Sequence, residues 1–129
     1  KIATVRRGLG DEAARVAVVF VTVDPARDSP AVLREYLAHF SAKVIGLTGT
    51  DAQIAQVAQQ FGAGYEVGEP RPDGTYLVSH STRLYGIDPD GRTRLLFRYE
   101  AAADEILAGV RDMLAGVVAG AAGGAGATA

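Results

Sequence analysis

VAVVFVTV, residues 16–23, is an unbroken β-branched and aromatic run, and DPARDSP, residues 24–30, brings it to a stop. A run with no regular polar alternation is the pattern of a strand buried on both faces of a parallel sheet, not of one wet on one side. Such a strand needs helices on both faces. The first follows at once: Ser29 and Pro30 form an N-cap with Pro at the first helical position. Val32, Leu33, Tyr36, Leu37 and Phe40 then recur at helical spacing, which predicts a helix over roughly residues 30–40.

Working outward, IATVRRGL (residues 2–9) reads as a helix stopped by Gly10. VIGL (44–47) is a short apolar strand, and Thr50 with Gln53 forms a capping box ahead of Ile54, Val57, Ala58 and Phe61, closed by Gly62. EVGEPRPDGT (66–75) reads as a Pro and Gly loop, after which YLVS (76–79) is extended and leads to His80. Residues 82–88 and 93–99 flank Asp88, Pro89, Asp90 and Gly91 as a hairpin whose turn residues suit its bend. Ile106, Leu107, Val110, Met113 and Leu114 share one face of a final helix. From Gly116 the composition falls to Gly and Ala with two Val and one Thr, a frayed tail too poor in apolar groups to specify a fold. The sequence thus predicts one unit over 1–115 and a tail over 116–129. Parallel crossovers followed by an antiparallel hairpin give an α/β class, a thioredoxin-like three-layer sandwich with a mixed sheet that lacks its beginning.

The 129 residues are 48% hydrophobic, enough for one domain with a sizeable core. Thirteen Lys and Arg stand against fifteen Asp and Glu, a net charge of −2 without a basic run, so nucleic acid is not an expected partner. No stretch approaches the roughly 20 apolar residues of a membrane span. Lys1 to Gly10 lack the apolar centre of a signal peptide. There is no cysteine, which rules out a disulfide framework or a cysteine nucleophile within these residues.

Four segments together resemble the Sco (SenC) family of thioredoxin-like copper proteins. Val23-Asp24-Pro25-Ala26-Arg27-Asp28-Ser29-Pro30 is similar to that family's V-D-P-x-R-D-x-P stretch and is the most specific of the four. Gly46-Leu47-Thr48-Gly49-Thr50 is similar to its G-L-T-G-T turn, Val78-Ser79-His80-Ser81 to its V-x-H-S histidine motif, and Ile87-Asp88-Pro89-Asp90-Gly91 to its hairpin turn. The resemblance implies a copper site made of a Cys-x-x-x-Cys loop after the first core strand plus one distant histidine, and it carries the histidine role to His80. It places the two required cysteines a few residues ahead of Lys1. Ser79 departs from the family, in which many members have Asp before the histidine, and so removes a carboxylate that could orient the ring.

Two thiolates and an imidazole suit Cu(I), which prefers sulfur, while the nitrogen also tolerates Cu(II). A low coordination number leaves an opening for an acceptor's ligand, so transfer by ligand exchange follows. With His80 alone, binding is expected to be weak and unselective. Alone, His80 would read as an ordinary strand-edge histidine; its motif reverses that reading. His39 lies at the border of an apolar helix stripe and reads as a boundary residue without function. Asp24 stands at the carboxyl end of the long strand, where open α/β sheets place ligand sites. With Arg27 and Asp28 it reads equally as a rim near the metal or a partner surface, and as a local Asp–Arg pair shaping the turn. Asp88 and Asp90 lack the remaining ligands of a calcium loop. Tyr65, Tyr76 and Tyr85 read as packing.

The function implied by the resemblance is a metallochaperone that delivers copper to the dinuclear copper site of a cytochrome c oxidase subunit. Thiol–disulfide reduction of that subunit's cysteines is the enzymatic alternative, followed by a peroxidase-like relative and a cysteine-less binding domain. The implied partners are the copper-accepting subunit and another periplasmic copper carrier, with the protein a monomer. The implied location is the periplasmic or outer face of a bacterial membrane, with an anchor. The resemblance also places the first core strand between the strand at 16–23 and that at 82–88. Without it the sheet is expected to be split, those two strands not pairing with each other.

Overall fold

Arg6 and Arg7 in the last turn suit the negative end of helix α1 (Ile2–Leu9), which closes at Gly10, the stop expected of it. A short 3-10 helix, Gly10–Arg15, which the sequence reading did not anticipate, leads from it to strand β1 (Val18–Val21). The computed structural model describes residues 1–40, 43–80 and 83–116, and of His80 the backbone alone. The expected tail, from residue 117 onward, lies outside the described residues.

Helix α2 (Pro30–Ala38) begins as its sequence dictates, the Ser29 hydroxyl accepting from the Val32 amide with Pro30 in the first turn. It returns the chain to β2 (Val44–Leu47), parallel to β1 and in register from Val18 opposite Val44 to Val21 opposite Leu47. The buried Leu33 and Leu37 of α2 rest on Gly46, where an added Cβ would lie 2.5 Å from a Leu37 methyl. A bare backbone is what lets the helix come down on the strand.

Helix α3 (Asp51–Phe61) has the reciprocal Thr50–Gln53 capping box, and Gly62, at φ 66°, ends it in the left-handed region. Strands β3 (Tyr65–Val67) and β4 (Val78–His80) form an antiparallel pair that sets Tyr65 opposite His80. Helix α4 (Ala103–Leu114) is the last described element, and strands β5 (Arg83–Ile87) and β6 (Thr93–Arg98) before it are the expected hairpin. Its turn is tied by Asp88, whose carboxylate accepts from the Asp90 and Arg92 amides and from Arg94 Nε, so these acidic groups shape the bend.

The described strands make three two-stranded ladders, β1 with β2, β3 with β4 and β5 with β6. As expected, β1 and β5 do not pair. Two readings need correction. The strand expected over 16–23, buried on both faces, is confined to Val18–Val21, and Val19, Phe20 and Val21 are 36–49% exposed. One neighbouring strand and one helix layer cannot cover both faces, whatever the side chains favour. The loop expected over 66–75 gives up Glu66 and Val67 to β3, because Gly68 N–H donates to the Leu77 carbonyl and zips its two ends together.

The main core lies elsewhere, where Val5 and Leu9 of α1 meet Phe97, Ala101 and Ile106, with Leu84, Leu95, Leu107 and Val110 packed around them. Ile106, at 4% exposure, is the centre of the apolar stripe read on α4.

Candidate functional site

Thr22 is the polar interruption near the end of VAVVFVTV, and the structure shows its use. Among the described residues it is the largest side chain that is fully buried, at 1% exposure. Its amide donates to the Leu47 carbonyl, which carries the β1–β2 ladder one residue further. Its hydroxyl donates to Asp28 Oδ2 at 2.6 Å and accepts from the Asp24 amide at 3.0 Å. A backbone bond from Asp28 N–H to the Asp24 carbonyl, 2.9 Å, closes the turn. The chain therefore leaves the strand along one fixed path, with the Asp24 side chain turned into the protein.

Asp24 is 8% exposed, and a buried carboxylate needs donors. Arg27 Nε lies 2.6 Å from Oδ2, and the Tyr76 hydroxyl donates from 3.0 Å from both oxygens. Arg27 goes on to bridge: its second nitrogen donates to the Tyr76 carbonyl at 3.0 Å, and its guanidinium stacks over the Tyr76 ring at 4.1 Å. Burial pushes the Asp24 carboxyl up, but the bonds from Arg27 and Tyr76 and the Arg27 charge outweigh it, holding the group below its ordinary value.

The structure thus brings Asp24, Arg27 and Asp28 together in a turn shaped by a local Asp–Arg pair, one of the two readings of this stretch, and ties them to a residue the sequence reading took as packing. Tyr76 is not packing alone: it is the polar partner, 52 positions away in sequence, of the buried carboxylate. Only its place directly after a Pro and Gly loop hinted at a fixed role. Tyr85, by contrast, packs on Phe61 with ring centroids 5.6 Å apart. Among the described residues its buried hydroxyl has no partner.

His80 is the last residue of β4, opposite Tyr65 and four residues beyond Tyr76. His39 is exposed at the end of α2, its ring nitrogen 2.9 Å from the Glu35 carbonyl, which agrees with the boundary reading. Among the described residues no three His, Cys, Asp or Glu groups are placed to hold a metal ion, and the sequence has no cysteine. Among the described residues no helix is long and apolar enough to cross a membrane.

The profile of the family described as SCO1/SenC matches residues 1–115, across Asp24, Tyr76 and His80 alike. The chain belongs to the SCO1/SenC family. Among its Sco relatives, the SCO2-like protein of Rickettsia felis is 42% identical over 90 residues, which are 69% of this chain and 44% of that protein. The mitochondrial SCO2 homolog of Bos taurus is 36% identical over 100 residues, 78% of this chain and 38% of that protein. The chain therefore spans less than half the length of these Sco relatives. The structure of Bradyrhizobium japonicum ScoI with copper bound superposes with a TM-score of 0.76 at 33% identity, covering 87% of this chain and 71% of that one. The Sco fold is thioredoxin-like, the α/β class read from the order of elements.

Proposed function

We propose that this Sco domain, residues 1–115 with the Gly and Ala tail beyond it, serves a metallochaperone that delivers copper to the dinuclear copper site of cytochrome c oxidase. The observation that carries the reading is that the family match runs across residue 80 while a relative of the same fold was solved with copper bound. His80 supplies one nitrogen. A Cys-x-x-x-Cys segment supplies the two thiolates, since no residue of this chain offers sulfur of that kind. Such a set holds soft Cu(I) through sulfur and keeps Cu(II) accessible through the imidazole. With three ligands, the ion leaves when an acceptor thiolate or imidazole takes up the open position.

The role is carriage of metal and not catalysis. The acceptor is the copper-binding subunit of the oxidase, another copper carrier is the source, and the protein works as a monomer on the extracytoplasmic side of a membrane to which it is anchored. Arg27, half-exposed at the rim, faces that acceptor, while Asp24 and Asp28 support the site from within.

The test joins this chain to a Cys-x-x-x-Cys segment and measures copper transfer to the reduced copper domain of the oxidase subunit. His80→Ala is expected to abolish transfer. Full transfer without the imidazole contradicts the reading. Lost transfer with retained disulfide reduction assigns the histidine to the metal and leaves reduction to the thiols alone.

A further inference from the structure

Strands β3 and β4 have three residues each and pair only with each other among the described ladders. A lone two-stranded ribbon is marginal in water. Something outside it must fix where β4 runs. The loop that feeds β4 is stiffened from within: Arg71 N–H donates to the Thr75 carbonyl, and Asp73 Oδ1 accepts from the Thr75 amide and hydroxyl. That loop ends at Tyr76, whose hydroxyl, carbonyl and ring are all held by residues of the β1–α2 turn. Two residues later β4 begins, and a further two bring the chain to His80. Four extended residues reach at most about 14 Å, so the point at which Tyr76 is anchored bounds the position of His80.

The geometry points to Tyr76 as a positioning residue, clasped by Asp24 and Arg27, that registers the His80-bearing strand against the carboxyl end of β1. This rests on the reading of His80 as a metal ligand and adds to it how a short strand, paired among the described ladders only with β3, presents that ligand at a constant place. Three features make the clasp stiff. The carboxylate is buried, the bonds to it are charge-assisted, and the planar guanidinium contacts ring and carbonyl of the same residue, a fit lysine cannot reproduce.

Tyr76→Phe keeps the ring and removes the hydroxyl. Amide hydrogen exchange in the 129-residue chain is expected to quicken by about tenfold at Gly68 and through β3 and β4, the equivalent of one charge-assisted hydrogen bond, while α1 and α4 are unmoved. In the Asp24→Asn background the same change should do little, because the hydroxyl has already lost its charged acceptor. Exchange that is unchanged at Gly68, or that rises equally everywhere, overturns the clasp.

The second readout is copper affinity and absorption spectrum, in the polypeptide that joins this chain to a Cys-x-x-x-Cys segment. Tyr76→Phe should weaken affinity by about tenfold and shift the spectrum, with Tyr99→Phe, at an exposed ring, as the silent control. The Tyr76 effect should vanish in the His80→Ala background. Faster exchange with unaltered copper binding overturns the positioning role and leaves the His80 reading standing. A silent His80→Ala overturns that reading and leaves the clasp.

Discussion

The Asp24 carboxylate, held by donors from both sides of the turn after β1, makes that turn sensitive to acid. Asp24 is held below the ordinary value of 3.8, the donors from Arg27 and Tyr76 outweighing burial, so the folded chain binds its proton less readily than the unfolded one does. The stability it contributes is complete above the unfolded value and disappears as pH falls through the folded one. Asp73, through its bond from the Thr75 hydroxyl, and Asp88, through Arg94, are lowered too and act with the same sign. Urea midpoints measured from neutral pH to below 3.8 are expected to fall towards acid. In Asp24→Asn the neutral-pH midpoint is lower and the fall shallower, with Asp73 and Asp88 contributing to the fall that is left. An identical fall in wild type and variant would remove Asp24 from the account.

Elements differ in what they contribute, and the difference is open to measurement. Ile106 of α4 is 4% exposed within the main core, so Ile106→Ala is expected to cost about 2–5 kcal/mol in chemical unfolding. Val19 of β1 is 49% exposed, and Val19→Thr is expected to stay within about 0.5 kcal/mol. Reading the sequence alone would have reversed that order, because VAVVFVTV is the more hydrophobic segment. The helix ends were legible because each is decided locally, by Ser29 with Pro30 and by Thr50 with Gln53. Burial of β1 was not, because it depends on what stands beside the strand. Strand β3 escaped notice because three residues next to a Pro and Gly loop carry no period, and a bond from Gly68 to Leu77 fixes them. For the site, Asp24, Arg27 and Asp28 were visible as a motif. Tyr76 was not, since a contact across 52 positions leaves no mark on local pattern.

Across the whole molecule, a thioredoxin-like frame holds a histidine-bearing strand by a polar clasp and contains no cysteine thiolate of its own. Competition against a chelator is therefore expected to show that the 129 residues alone bind copper weakly, a lone imidazole having neither the charge nor the softness of paired thiolates. Tight stoichiometric binding by this chain would contradict that. The most direct measurement is pulsed electron paramagnetic resonance of the Cu(II) form of the chain joined to a Cys-x-x-x-Cys segment, with the imidazoles of His39 and His80 labelled with nitrogen-15. One strongly coupled imidazole nitrogen is expected, lost in His80→Ala and kept in His39→Ala. A coupling that survives His80→Ala, or none in the unsubstituted protein, would contradict the reading of His80 as a metal ligand.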